Sequence, residues 1–341
     1  MTLEEILQLH HSGDLAAAEP AYRDYLQAEP DDAHALHLLG VLRQQRGDSL
    51  EAGELIRRAI EIAPQQAQFH LSLGGVLLHL NEDDAARASF ERALDLDPNS
   101  VAAHNLVGHL HLREGDLGAA ENRFKIGRRA SAEDPLILLG LGNVHLDRND
   151  AQNAAKFLSR AADLKPADAA IQTSLGRALF AQGAFAFAER AFENALRLRA
   201  DLSIAKLYLA RSKFRQGKSN AARDLFAELL AANQQTFGAN AGLGDIARKK
   251  GQALKAFKFY RRALVLDPAH AGAANACAWC AEKLGDLEGA VRYLAEGLRH
   301  APAAHELRRP LAELLDRLGR GTEAEDVRQG RLPAAIEAPV A

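Results

Sequence analysis

The chain has 341 residues, 48% hydrophobic, 26% charged and 6% aromatic, a balance that fits folded helices and excludes disordered, collagenous and fibrous classes. Its net charge of −3 gives no general reason to bind nucleic acid or an acidic membrane surface. No stretch nears the length of apolar sequence a membrane span needs, and the acidic start Met1-Thr2-Leu3-Glu4-Glu5 is unlike a secretory signal, so a cytoplasmic protein without membrane insertion is expected. Lys makes up 11 of the 42 basic residues, and this excess of Arg, with abundant Ala, suggests a GC-rich bacterial genome.

The elements predicted in chain order are one element repeated. Gly13, Gly47, Asn81, Gly115, Asn149, Gly183, Gly217, Gly251, Gly285 and Gly319 recur at a spacing of 34 residues. Gly and Asn are the residues that most readily adopt the left-handed conformation just past a helix end. With the turn at position 15, units begin near residues 1, 33, 67, 101, 135, 169, 203, 237, 271 and 305. Each reads as two amphipathic helices either side of the turn. Thr2-Leu3-Glu4-Glu5 is a capping box for the first of them.

Within the unit, position 20 is Ala throughout, from Ala18 to Ala324, and position 8 is Gly or Ala, as in Gly40, Gly74, Gly108 and Gly176. Gly inside a helix costs about 1 kcal/mol against Ala, so its recurrence needs a steric reason. Small residues at 8 and 20 let the paired helices approach, with bulky groups such as Phe90, Phe124 and Phe192 at position 24 beside them. A larger side chain at Ala120 or Ala188 is expected to overpack the pair. Pro at position 32, as in Pro64 and Pro98, ends the second helix.

This pattern resembles the tetratricopeptide repeat (TPR), most clearly from Ala67 to Ser100 with Gly74, Ala86, Phe90, Ala93 and Pro98. The resemblance implies an all-α fold, a right-handed α-solenoid of about ten helix-turn-helix units, with first helices lining a concave groove. Residues 1–331 are expected to form one continuous array and 332–341 a disordered tail. Leu229 and Gln234 depart from the pattern, and the last unit carries Pro310 inside its first helix and a polar second helix, Thr322 to Arg331. Polarity there suits a terminal cap.

Residues for chemistry are scarce. Cys277 and Cys280 occupy positions filled elsewhere by aliphatic residues, and no second pair exists to complete a zinc site, so both read as packing. Ten of the 13 His precede residue 146. His34 and His37 are neighbours on one helix face, and His70 with His104, like His111 with His145, share repeat positions and are expected to stack across units. No phosphate loop and no nucleophile elbow is present. No catalytic residue, cofactor or metal is assigned, and no enzyme is expected.

The resemblance places positions 2, 5, 9, 12 and 13 of each first helix on the groove. Early units offer uncharged residues there, such as His34, Val41, Gln44 and Leu78. Further on stand Asn143 and Leu146, then Arg177 and Phe180, then Arg211, Phe214 and Arg215, then Arg248 and Lys249. The last three of these units set five cations against Asp245 alone. Arg forks beside exposed Phe rings suit an extended, acidic peptide. The two-unit carboxylate clamp of TPR co-chaperones is absent, since Leu139 and Ser174 replace its polar residues. The TPR arm of O-linked N-acetylglucosamine transferases is similar in register, but its asparagine ladder is missing here. The leading expectation is a protein-interaction scaffold holding a protein or peptide ligand, with no nucleic acid. The alternatives are self-association into an assembly, or the targeting or regulatory subunit of a separate enzyme such as a glycosyltransferase.

Overall fold

The computed structural model describes residues 1–232 and 236–333; Gln234 and the expected tail from residue 334 onward lie outside the described residues. Among these, every regular element is helical. The chain divides into two compact units, Met1–Pro166 and Ala167–Ala341. The first holds α1 (Leu3–His11), α2 (Leu15–Ala28), α3 (Ala33–Gln45), α4 (Ser49–Ile62), α5 (Ala67–His79), α6 (Asp83–Leu96), α7 (Val101–Glu114), α8 (Leu117–Ala130), α9 (Pro135–Asp147) and α10 (Ala151–Leu164). The second holds α11 (Ala169–Ala181), α12 (Phe185–Leu198), α13 (Ser203–Arg215), α14 (Ser219–Ala231), α15 (Phe237–Lys249), α16 (Ala253–Leu266), α17 (Ala271–Lys283), α18 (Leu287–His300), α19 (Arg308–Arg317) and α20 (Gly321–Arg328). In each unit a helix packs on its partner across the turn and on the next pair along the chain: an α-solenoid.

The turns do what their residues allow. All ten predicted Gly and Asn positions have positive φ, from 60° at Asn149 to 88° at Gly47. Helix starts are fixed by side chains: the Glu5 amide donates to Thr2 Oγ1 at 3.3 Å and the Thr2 amide to Glu5 Oε2 at 2.9 Å, while Asp32, Asp134 and Asp168 cap α3, α9 and α11.

All ten Ala at position 20 are fully buried. The Gly at position 8 has a sharper explanation than close helix approach in general. A Cβ added at Gly108 would lie 2.6 Å from the Phe124 ring, and one at Gly140, in the next repeat, would strike the same ring. Most of the bulky groups at position 24, among them Phe90, Leu158, Phe192 and Tyr260, are thus seated on glycine, Phe124 from two sides. Leu229, where a small residue was expected, is buried beside Phe226.

The last repeat differs from expectation. Its first helix begins only at Arg308, after a 3₁₀ turn at His305–Leu307. Pro310 therefore falls in the first turn of α19, where its missing N–H leaves no helical bond unmade. The polar helix α20 is held by Ala324 and Val327, both buried.

Polar pairs tie successive repeats. Glu19, on α2, accepts from Arg43 Nη1 at 2.9 Å and also from Arg46. Glu121 pairs with Arg148 at 2.5 Å. Arg87 and Glu114 make the same link with the signs exchanged.

Candidate functional site

In the second unit, α13 packs against both α11 and α15, so the first helices form neighbouring rungs. Their basic residues do not stand alone; they rest on rings. The Arg211 guanidinium lies 5.4 Å from the centroid of Tyr208 and that of Arg215 lies 4.4 Å from Phe185. The Lys249 ammonium sits 5.5 Å from Phe214. Arg248 and Lys283 share Trp279, at 5.9 and 6.0 Å. Position 13 accordingly runs Arg215, Lys249, Lys283 along three successive repeats.

Phe180 and Phe214, expected to be exposed, are half-buried. Phe180 meets Phe185 and Tyr208 edge-on, at 5.3 and 5.5 Å between centroids, and Phe214 packs on the cluster around Phe226. Burial on one side makes these rings a fixed floor. Arg177, on α11, is half-buried. Asp245 is engaged on two sides: Tyr260 Oη donates to it at 2.6 Å and Arg248 lies 3.6 Å away.

A cation over a ring gains about 0.5–1 kcal/mol at an exposed site. The larger effect is positional: a long side chain already held in place loses less freedom when it meets a ligand. Guanidinium N–H edges and ammonium groups so placed can receive carboxylates, with ring edges for apolar side chains. Arg211, Phe214, Arg215, Arg248 and Lys249 come together in this ladder. Asn143 and Leu146 lie on α9 of the first unit, both half-buried, with the Asn143 Oδ1 buried and unpartnered.

Sequence reasoning missed Phe185, Tyr208, Trp279 and Lys283. Lys283 was legible, being the third basic residue at position 13. Trp279 lay between the two cysteines and was passed over with them. Both thiols are buried, and burial pushes Cys277 up to about 12 and Cys280 to about 11, so they stay protonated.

The histidines are placed differently from expectation. His70 and His104 do not stack; each ring bonds the carbonyl of the preceding loop, Pro64 at 3.0 Å and Pro98 at 2.9 Å. His111 stands 3.5 Å from Glu114 and His145 3.0 Å from Asp150. His34 and His37 both turn to Phe69, and His37 Nε2 bonds Ser72 Oγ at 2.8 Å. No group of three His, Cys, Asp or Glu is placed to hold a metal among the described residues, and no helix there is long and apolar enough to cross a membrane.

Paired helices, left-handed turns at a constant period and a side-chain ladder on the first helices define a helical repeat protein of the binding-surface kind. A family model described as tetratricopeptide repeat matches residues 11–67, 107–169 and 207–271, and a second of the same description matches 43–110. The chain belongs to the tetratricopeptide repeat family. It is 27% identical over 299 residues to human "Protein O-mannosyl-transferase TMTC3", covering 86% of this chain and 32% of that protein. To "Cellulose synthase 2 operon protein C" of Komagataeibacter xylinus it is 31% identical over 154 residues, 43% of this chain and 12% of that one. The chain thus spans less than a third of the length of these relatives. Among solved structures, the "APC/C hetero-tetramer Cut9-Hcn1" shares the fold at TM-score 0.64 and 18% identity, over 78% of this chain and 52% of that one. "Pseudomonas aeruginosa pilF" does so at 0.55 and 18%, over 61% and 94%.

Proposed function

We propose that the chain is a non-catalytic protein-interaction scaffold whose second unit holds an extended, acidic segment of a partner protein along the ladder from Arg177 to Lys283. One observation carries this reading: five cations of the first helices are seated on aromatic rings, Arg211 on Tyr208, Arg215 on Phe185, Lys249 on Phe214, and Arg248 with Lys283 on Trp279. Two carboxylates stand among them, and both are engaged, Asp245 by Tyr260 and Glu282 by Arg317 at 2.5 Å, which leaves the cations in excess. Charge of one sign beside half-buried rings favours a ligand with alternating acidic and apolar side chains.

Fluorescence anisotropy with labelled peptides of that alternating pattern, and with basic peptides of equal length, tests the proposal. Wild type should prefer the acidic peptides, with affinity falling as salt rises, and Arg211→Glu/Arg215→Glu should weaken binding at least tenfold, the loss of two charge-assisted contacts. Equal binding of acidic and basic peptides would end the reading.

The similarity to part of a protein named a transferase favours a second reading, that the chain is the targeting or regulatory partner of a separate enzyme such as a glycosyltransferase. Transferase activity co-purifying with the native chain in fixed ratio supports it; purification to homogeneity without such activity counts against it.

A further inference from the structure

The net charge of −3 conceals a strongly basic stretch. Between Arg248 and Arg262 the chain carries seven cations and no acid. Arg248 and Lys249 belong to the ladder; Lys255, Lys258, Arg261 and Arg262 lie on α16, a second helix, and all four are exposed. Arginines elsewhere mostly stand against carboxylates, such as Arg58 with Asp31 at 3.1 Å and Arg123 with Glu91 at 2.5 Å. These four make no ion pair among the described residues.

At 100° per residue, Leu254, Lys255, Lys258, Arg261, Arg262, Val265 and Leu266 fall within an arc of roughly 140°. Ala256, Tyr260 and Ala263, on the opposite side, are buried. The arc exposes three aliphatic side chains, Leu254 at 56%, Val265 at 77% and Leu266 at 42%. Beside it opens a cleft of about 360 Å³ whose lining includes Arg223, Lys250 and Lys255 together with Leu243, Ile246 and Phe259.

We propose that this outer face of α16 docks on an anionic lipid surface. Cations without acid partners seek phosphate or carboxylate. Nucleic acid gives the exposed Leu254 and Val265 little to bury against, whereas a bilayer offers headgroups to Lys258 and Arg261 and the acyl boundary to the aliphatic side chains between and beyond them. A single helix ridge also suits a flat surface better than it suits an extended chain, which needs a groove. The cleft rimmed by Arg223, Lys250 and Lys255 is placed to take a headgroup phosphate.

The test is sedimentation of the full chain with vesicles of phosphatidylcholine alone and of phosphatidylcholine mixed with phosphatidylglycerol. Wild type should partition to the anionic vesicles and be released by salt. Each basic residue near an anionic surface is worth about fivefold in partitioning, so Lys258→Glu/Arg261→Glu should lose at least tenfold. Leu254→Ser/Val265→Ser should lose several-fold on vesicles while binding soluble heparin as wild type does. The substituted side chains are exposed, and unchanged thermal melting verifies folding. Lack of preference for anionic vesicles overturns the proposal, as does a charge-reversed protein that still binds. Serine variants that bind vesicles as wild type does would assign the face to a soluble polyanion instead. Arg211→Glu/Arg215→Glu should bind vesicles normally, so this outcome is independent of the peptide ladder.

Discussion

The Lys213 ammonium on α13 donates to the buried Glu189 carboxylate on α12 at 2.6 Å, across the junction between two repeats. Lys218 Nζ adds a bond at 2.8 Å and Gln216 Nε2 one at 2.5 Å. Glu19 holds the same repeat position in the first unit and is bonded in the same way by Arg43 and Arg46. Burial by itself would raise the Glu189 carboxyl, but the bonds from Lys213, Lys218 and Gln216 outweigh it and hold the group at about 2.

Glu189→Gln should therefore destabilise the second unit by roughly 2 kcal/mol at neutral pH, the range for hydrogen bonds to a charged group. The sign with pH follows from the depressed folded value: the contribution is full above the ordinary carboxylate range and is lost as pH falls from there toward 2. Urea unfolding of wild type and variant should differ at pH 7 and converge toward pH 2; a difference independent of pH would assign the effect to packing.

His37 titrates the other way. Burial, with His34 nearby, pushes its imidazole down to about 4, so the folded state favours the neutral ring bonded to Ser72. The unfolded chain binds the extra proton first, and stability should fall as pH drops from about 6.5 toward 4, by up to roughly 3 kcal/mol for this group. Melting curves of wild type and His37→Gln across this window check it. The variant should lose part of the acid sensitivity.

Gly108 and Phe124 form one packing element. Gly108→Ala drives a methyl into the Phe124 ring, and overpacking of this kind costs about 1–3 kcal/mol, partly offset by up to about 1 kcal/mol of helix propensity. A net loss of roughly 1–2 kcal/mol is expected. Because the residues touch, the double variant with Phe124→Leu should be less destabilised than the two losses added. Additivity in chemical denaturation would refute the contact.

The turn at Gly183, with φ of +79° and nothing within 4 Å of where a methyl group would stand, should discriminate by backbone conformation alone. Gly183→Asn should be close to neutral, since Asn81 and Asn149 already adopt positive φ in the same position. Gly183→Val should cost about 1–2 kcal/mol. Equal melting temperatures for the two variants would show that the turn tolerates any side chain.

The fold was nearly all legible beforehand, and the candidate site only in part. Periodicity located all ten left-handed turns inside the repeats, every buried Ala at position 20 and both buried thiols, because a residue repeated at constant spacing meets the same neighbours each time; Gly330, left-handed past the last repeat, lies outside the period. It placed Pro310 inside the first helix of the last repeat, as found, but not in that helix's first turn, since a helix start can shift by one turn without disturbing the period. It also treated the histidines by position alone, whereas their rings turned to nearby carbonyls, hydroxyls and carboxylates or, at His34 and His109, to the Phe69 and Phe124 rings.

By itself, then, the sequence determined the repeat: where helices end, which side of each is buried, and which first-helix positions carry charge. These follow from local sterics and from the volume of side chains that every unit must fit. Only the tertiary structure decided how the charges are used. Arg215 rests on Phe185, thirty residues earlier, and Arg248 on Trp279 in the following repeat, because a long side chain finds its ring across the gap between helices. Neither distance along the chain nor repeat position encodes that choice; it is set by which faces the packed helices bring within reach.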